Sequence, residues 1–379
     1  MEKEKFKTKI MYEKSVDKTL LTVVLILLAF GLVMIASAGV IYSETRFADE
    51  YYFFKHQLFF GVIPGIIALY TFSKIDYHFW KKVSVPLFFI SLVFLILVFV
   101  PGIGTKIYGA SRWIQLGSFS FQPSEMAKLS IIIYLAAWLE SRGVHRIKDF
   151  LEGFLPFLGI MAFIGFLIIK QPDIGTLGVI LLTSISIFFI SGASLKHIFS
   201  MGILGFFLLW ILVKIEPYRF NRIATFLDRG FDPQGIGYQI NQALLAIGSG
   251  GLLGVGLGHS RQKFNYLPEP VGDSIFAIIG EELGIIGAVT LVVLIVLLAL
   301  RGIKIAKNSP DMFGRLLATG VIMWIAFQAF INISANIALV PLTGVPLPFV
   351  SYGGTSLIFL MSAVGILLNI SKHLNINCK

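Results

Sequence analysis

Cysteine is almost absent: Cys378 is the single thiol in 379 residues. That excludes an intrachain disulfide, a thiolate metal cluster and a Cys-based redox pair. Charge is scarce as well, at 14% of the chain against roughly a quarter in a soluble domain. Neither an HExxH pattern nor a compact acid–histidine grouping occurs, and His56, His78, His197 and His259 have no spacing that demands a metal. The glycine series from Gly248 to Gly258 lacks the preceding strand and fixed spacing of a nucleotide-binding loop, which excludes Rossmann and Walker readings. No persuasive cleavage site follows the first apolar run, so that run is expected to stay as a helix.

What the chain does have is apolar surface. Hydrophobic residues make up 56%, and the mean hydropathy is +0.84. A soluble domain of this size cannot hide so much. Continuous apolar runs of near-membrane length point to a polytopic all-α membrane protein, and their lack of alternation excludes an outer-membrane barrel. Ten spans are predicted: 19–39, 52–73, 83–100, 123–139, 153–169, 174–190, 194–213, 274–300, 314–336 and 350–371. Residues 1–18 and 372–379 read as cytoplasmic tails and 19–371 as one membrane domain.

The net charge of +10 is explained by topology rather than by nucleic acid. Lys74, Lys81, Lys82, Arg142, Arg146, Lys148, Lys196, Arg301, Lys304, Lys307 and Arg315 fall in alternate connections, together with the basic tails. The positive-inside rule then puts both termini in the cytoplasm. This places two polar segments outside, 101–122 and a large extracytoplasmic loop, 214–273, between helices 7 and 8. The loop exceeds the length that compact proteins carry without a functional reason. Its middle, 239–250, is apolar enough for a short interfacial or re-entrant helix, and the glycines after it predict tight turns or close helix contact. Glycines within spans, such as Gly31, Gly39, Gly175, Gly178, Gly284 and Gly287, are read as packing sites.

Polar groups near bilayer depth are the candidate functional residues. Glu125 and Lys128, at i and i+3 after Pro123 and Ser124, share a helix face. They are either a structural pair or part of a site. Asp273, where the long loop meets the eighth span, is either a helix cap or a carboxylate whose pKa is raised by burial or by an anionic neighbour such as Glu269, which suits a general base. Glu281 and Glu282 are adjacent and so face different surroundings; bundle hydrogen bonds or a basic loop partner are expected. Asn332 and Asn336, four apart, predict an interhelical contact. Arg112, Arg219, Arg222, Arg261 and Lys263 offer donors for a diphosphate, with apolar helices taking its lipid tail.

Together several fragments resemble the SEDS family of bacterial shape, elongation, division and sporulation proteins, which includes FtsW, RodA and SpoVE. They are Gly109-Ala110-Ser111-Arg112-Trp113-Ile114, Phe121-Gln122-Pro123-Ser124-Glu125-Met126-Ala127-Lys128, Gln171-Pro172-Asp173-Ile174-Gly175-Thr176, Tyr266-Leu267-Pro268-Glu269, Gly280-Glu281-Glu282-Leu283-Gly284 and Pro348-Phe349-Val350-Ser351-Tyr352-Gly353-Gly354-Thr355-Ser356. The resemblance leans to the division branch. It implies a peptidoglycan glycosyltransferase of the bacterial plasma membrane that polymerises lipid II, with Asp273 as its essential acid. It further implies that Arg112, Glu125 and Lys128 join an external cavity whose wall includes Ser351 and Ser356. A class B penicillin-binding protein and divisome or elongation-complex proteins are the implied partners. No cofactor is assigned; a divalent cation is compatible with diphosphate chemistry, but no dedicated metal motif occurs. Around the acid the family usually reads His-Thr-Asp-Phe, whereas this chain has Val271-Gly272-Asp273-Ser274. A lipid II flippase and a non-enzymatic scaffold for the transpeptidase are the alternative readings.

Overall fold

The computed structural model describes residues 16–107, 110–117, 119–228, 231–232 and 235–374. Cys378, Gly109 and most of both predicted tails lie outside the described residues. In chain order the helices are α1 (Lys18–Ala38), α2 (Val40–Phe47), α3 (Tyr52–Lys74, with a π-helical turn at Leu58–Val62), α4 (Tyr77–Lys82) and α5 (Ser84–Leu97). Then come α6 (Pro123–Lys148), α7 (Phe150–Lys170), α8 (Ile174–Ile190), α9 (Leu195–Ile215), α10 (Pro217–Leu227), α11 (Ile236–Gly250), α12 (Ile275–Lys307), α13 (Met312–Asn336) and α14 (Gly354–Lys372). The chain is a polytopic membrane protein. Seven of these helices, α1, α3, α7, α9, α12, α13 and α14, are long and apolar enough to cross a bilayer. The apolar helices α5 and α8 are shorter, and α6 carries Glu125, Lys128 and Glu140 along its length.

One element adds to the all-helical expectation. Between α5 and α6 the chain forms a small antiparallel sheet, β1 (Gly104–Ile107), β2 (Ala110–Leu116) and β3 (Phe119–Phe121), in that spatial order. Ladder pairing satisfies backbone groups that a loose polar loop beside the bundle would leave to solvent. Phe121 tucks edge-on between Phe94 and Phe359, and Thr355 donates to the Ser120 carbonyl at 2.6 Å.

The centre of the bundle is α13 and α14, the most enclosed spans, while α9 is exposed along most of its length. Small residues let the backbones close up. A Cβ on Gly31 would lie 2.5 Å from the Phe349 carbonyl oxygen, and one on Gly365 2.6 Å from that of Leu69. Gly178 departs from the packing expectation: it faces open space.

Long-range hydrogen bonds gather the start of α1 and the end of α14 at one end of the bundle. The Asp17 amide donates to Ser371 at 3.0 Å, and the Tyr77 amide to Asn369 at 2.9 Å. Lys372 donates to the Ser73 carbonyl at 2.8 Å, and the Tyr77 hydroxyl bonds Asp311. Asp273 sits at the far end of α12 from this cluster.

The glycine series has a specific task. Gly284, at φ +65°, breaks the α12 helix and frees backbone groups that a continuous helix would pair. The segment after α11 takes them up: Val255 and Gly256 donate to the Glu281 and Glu282 carbonyls at 3.0 and 3.1 Å, and Ile285 donates to the Gly251 carbonyl at 2.9 Å. A Cβ on Gly254 would lie 2.1 Å from the Glu282 carbonyl oxygen. Close approach, not a ligand, demands glycine there.

Candidate active site

Asp273 stands directly before α12. The expectation that it caps this helix is not met: Ser274 occupies the N-cap position, with no side-chain cap bond, and the Asp273 carboxylate is spared. Two turns set it up. Glu269, at φ +49°, accepts through its carbonyl from the Gly272 amide at 3.0 Å and the Ser274 amide at 3.3 Å.

The backbone here is clamped by side chains remote in sequence. Asn332 and Asn336, one turn apart on α13, both donate to the Asp273 carbonyl at 2.8 Å. Ser351 donates to the Gly272 carbonyl at 2.7 Å while accepting from the Leu347 amide at 2.8 Å. Tyr352 donates its amide to the Val271 carbonyl at 2.8 Å. Three consecutive carbonyls are thus held, and the carboxylate is aimed by a fixed backbone. Ser351 therefore acts on Gly272 through one bond, and Ser356 lies buried in the first turn of α14, beside Gly353.

The carboxyl group itself is lightly partnered. Its Oδ1 is buried without a hydrogen bond. Burial, reinforced by the nearby negative charge of Glu269, raises its pKa to about 6, against lowering by a backbone bond, Arg222 and the Gln239 amide. Gln239, on α11, also donates to Ser274 at 3.1 Å, so the helix inside the long loop reaches the acid directly. Arg222, on α10, donates to the Leu342 carbonyl at 2.8 Å. Glu269 accepts from Tyr42 at 3.0 Å.

The segment 337–353 forms the opposite wall. A Cβ on Gly344 would be 3.7 Å from Asp273 Oδ2. This irregular stretch buries Val345, Leu347, Phe349 and Val350, which is tolerable because α13 satisfies its backbone. Gln328 donates to the Pro346 carbonyl at 3.0 Å and Asn332 to that of Val345 at 2.8 Å. Gln328 in turn accepts from Lys128 at 2.8 Å, and Lys128 pairs with Glu125 at 2.8 Å and lies 5.0 Å from the Trp324 ring centre. The buried Glu125–Lys128 pair thus connects to the acid through Gln328 and the 345–346 backbone. Glu125 Oε2 and Ser124 Oγ are buried without partners, and a void of about 10 Å³ beside Lys128 has room for about one water.

Arg112 reaches the same wall indirectly. It donates to the Gln171 carbonyl at 3.0 Å and to that of Pro172, bracing the turn in which Asp173 caps α8 through Thr176. Behind that turn, a Cβ on Gly175 would lie 2.8 Å from the Thr343 carbonyl oxygen. Arg219 is buried and donates to the Leu212 and Ile169 carbonyls.

Lys263 is placed away from this constellation. It is buried against Glu282 at 3.1 Å and donates to the Gly258 and Ser37 carbonyls at 2.7 and 3.3 Å. Three acceptors occupy its three hydrogens, so its geometry is at odds with the expected phosphate contact. Glu282 also accepts from Ser37 at 2.5 Å, and Glu281 from Ser260 and from the Arg261 amide at 2.8 Å. Among the described residues no group of three or more His, Cys, Asp or Glu side chains gathers in a metal-binding arrangement.

Sequence reasoning missed Gln239, Gln328, Tyr42 and the 337–345 wall. Gln328 was accessible: with Asn332 and Asn336 it completes an i, i+4, i+8 polar stripe. The other three left no periodic signal.

A family model described as "Cell cycle protein" and covering FtsW, RodA and SpoVE matches residues 17–376. The chain is 45% identical over 360 residues to stage V sporulation protein E of Bacillus subtilis (strain 168), covering 95% of this chain and 98% of that one. It is 41% identical over 358 residues to a probable peptidoglycan glycosyltransferase FtsW of Geobacter sp. (strain M18), covering 94% and 97%. Its fold matches a solved structure described as "Structural coordination of polymerization and crosslinking by a peptidoglycan synthase complex", with a TM-score of 0.76, 28% identity and coverage of 94% and 97%.

Proposed function

The chain belongs to the FtsW/RodA/SpoVE family of cell cycle proteins, and from that premise we propose that Asp273 is the general base of its reaction. The protein is a peptidoglycan glycosyltransferase that polymerises lipid II in the bacterial plasma membrane. Asp273 takes the proton from the 4-hydroxyl of the acceptor GlcNAc. The freed oxygen attacks the anomeric carbon of the donor MurNAc, the bond from that carbon to the diphosphate oxygen breaks, and the lipid diphosphate leaves. A single displacement inverts the anomeric centre. Alignment of two large substrates supplies much of the rate.

One observation carries this reading: a backbone-clamped carboxylate with an unpartnered oxygen and a pKa near 6. That value keeps the group ionised at neutral pH yet basic enough to accept a proton in the transition state. Arg222 acts as the nearby cation for the departing diphosphate, and Arg112 acts as a brace for the 171–175 turn.

Ten crossings, with both termini cytoplasmic and Asp273 facing outward, fit this chemistry. In support, the start of α1 and the end of α14 share one end of the bundle, the alternate connections carry the basic residues, and Asp273 occupies the other end. A class B penicillin-binding protein is the expected partner; the likeness to a chain of a structure described as coordinating polymerization and crosslinking supports this. Purified protein given labelled lipid II should yield glycan strands, and the Asp273→Asn variant should not. Transbilayer movement of lipid II without polymer would instead favour a flippase, and partner binding without polymer a scaffold.

A further inference from the structure

At the other end of the bundle a cavity of about 390 Å³ opens where the C-terminal ends of α8 and α12 meet the first turns of α13. Its volume falls in the range of small-molecule pockets, roughly 300–1,000 Å³. Ile190, Ile303, Ile322 and Met323 give it an apolar wall, and Lys307 and Arg315 stand on its lining. Among the described residues no acid lines it. Among the described residues neither cation's side chain has an ion pair, hydrogen bond or ring partner. Several other cations in this half of the molecule have partners: Lys81 with Glu140 at 2.5 Å, Lys372 with the Ser73 carbonyl, and Arg301 with Thr19. Two unpaired cations thus stand together on the lining of one largely apolar cavity.

We propose that this cavity is a binding site for an anionic phospholipid of the leaflet opposite Asp273. The phosphate sits between Lys307 and Arg315, and an acyl chain fills the space between Ile303 and Ile322. Charge complementarity selects the headgroup: arginine forks two phosphate oxygens and lysine adds a point charge. Basic pockets between spanning helices are a known way to hold such lipids. The unbroken part of α12 beyond Gly284, residues 285–307, at 1.5 Å per residue alone puts roughly 34 Å between the cavity and the end of the helix that bears Asp273. The site is therefore separate from the glycosyl-transfer chemistry and holds whichever way the bundle is oriented.

The test uses full-length protein reconstituted in bilayers of equal phosphatidylglycerol and phosphatidylcholine, then released for native mass spectrometry. Wild type should retain phosphatidylglycerol over phosphatidylcholine, and a double Lys307→Gln, Arg315→Gln variant should lose roughly tenfold of that preference. Met323→Trp, which keeps both charges and fills the volume, should lower retention of either lipid. Asp273→Asn should retain phosphatidylglycerol as wild type does, so that failure of the catalytic reading is seen separately. Equal retention of both lipids by wild type, unchanged preference in the double variant, or full competition by soluble glycerol phosphate would overturn the proposal. So would selective retention of an added polyprenyl phosphate in place of phosphatidylglycerol.

Discussion

Asp273, just before α12, and the pair Glu281–Glu282, in its second turn, stand on the same stretch of chain and have opposite fates. The glutamates are saturated. Glu281 takes Ser260 and the Arg261 amide, and Glu282 takes Lys263, the Ser260 amide and Ser37. Asp273 keeps Oδ1 without a partner, while its backbone is held more firmly than its side chain. A buried acid with both oxygens hydrogen-bonded stabilises a fold; one with a free oxygen on a rigid backbone can exchange a proton. On the proposed mechanism the contrast separates structural acid from working acid more clearly than depth in the membrane does.

Substitution should expose that contrast most strongly at Asp273. Asp273→Asn should cut lipid II polymerisation by roughly 10²–10⁴-fold with its thermal unfolding in detergent unchanged. Glu282→Gln or Lys263→Met should do the reverse, costing about 3–5 kcal/mol of stability by leaving a buried charge alone, read as lowered Tm. Replacing both members together with apolar residues should recover much of that loss. Polymerisation that survives Asp273→Asn, or a Tm indifferent to Glu282→Gln, would erase the distinction.

A smaller effect should follow at the clamp. Asn332→Ala or Asn336→Ala removes one of two bonds to the Asp273 carbonyl, worth about 1 kcal/mol each. It should lower kcat by roughly tenfold through misplacement of the base, with lipid II affinity little altered. A change confined to KM would show that these residues serve substrate binding instead.

The bundle was legible because hydropathy is a local signal. Each predicted span overlaps a helix, seven of these helices are long and apolar enough to cross a bilayer, and the apolar patch in the long loop falls on α11. The site was legible only where chemistry sits at helical spacing: Glu125 with Lys128, and Asn332 with Asn336. Its assembly was not, because the decisive contacts join residues far apart in sequence, as Asn332 and Asp273 do across 59 positions. The same reason explains Lys263. In sequence it is a loop cation available to a phosphate, but its partner Glu282 waits inside a helix. Gly284 likewise read as a packing residue, since nothing local announces that the preceding glycines repair the break it makes.

The most direct measurement is the pH dependence of polymerisation for wild type, Glu269→Gln and Glu281→Gln. As the proposed general base, Asp273 acts in its ionised form, so the rate should rise with pH through a limb near pH 6 and fall away below it. Glu269 raises that pKa by its charge, so neutralising it should move the limb to lower pH, whereas Glu281→Gln should leave the limb in place. A rate flat across this range, or a limb that follows Glu281 rather than Glu269, would contradict the account.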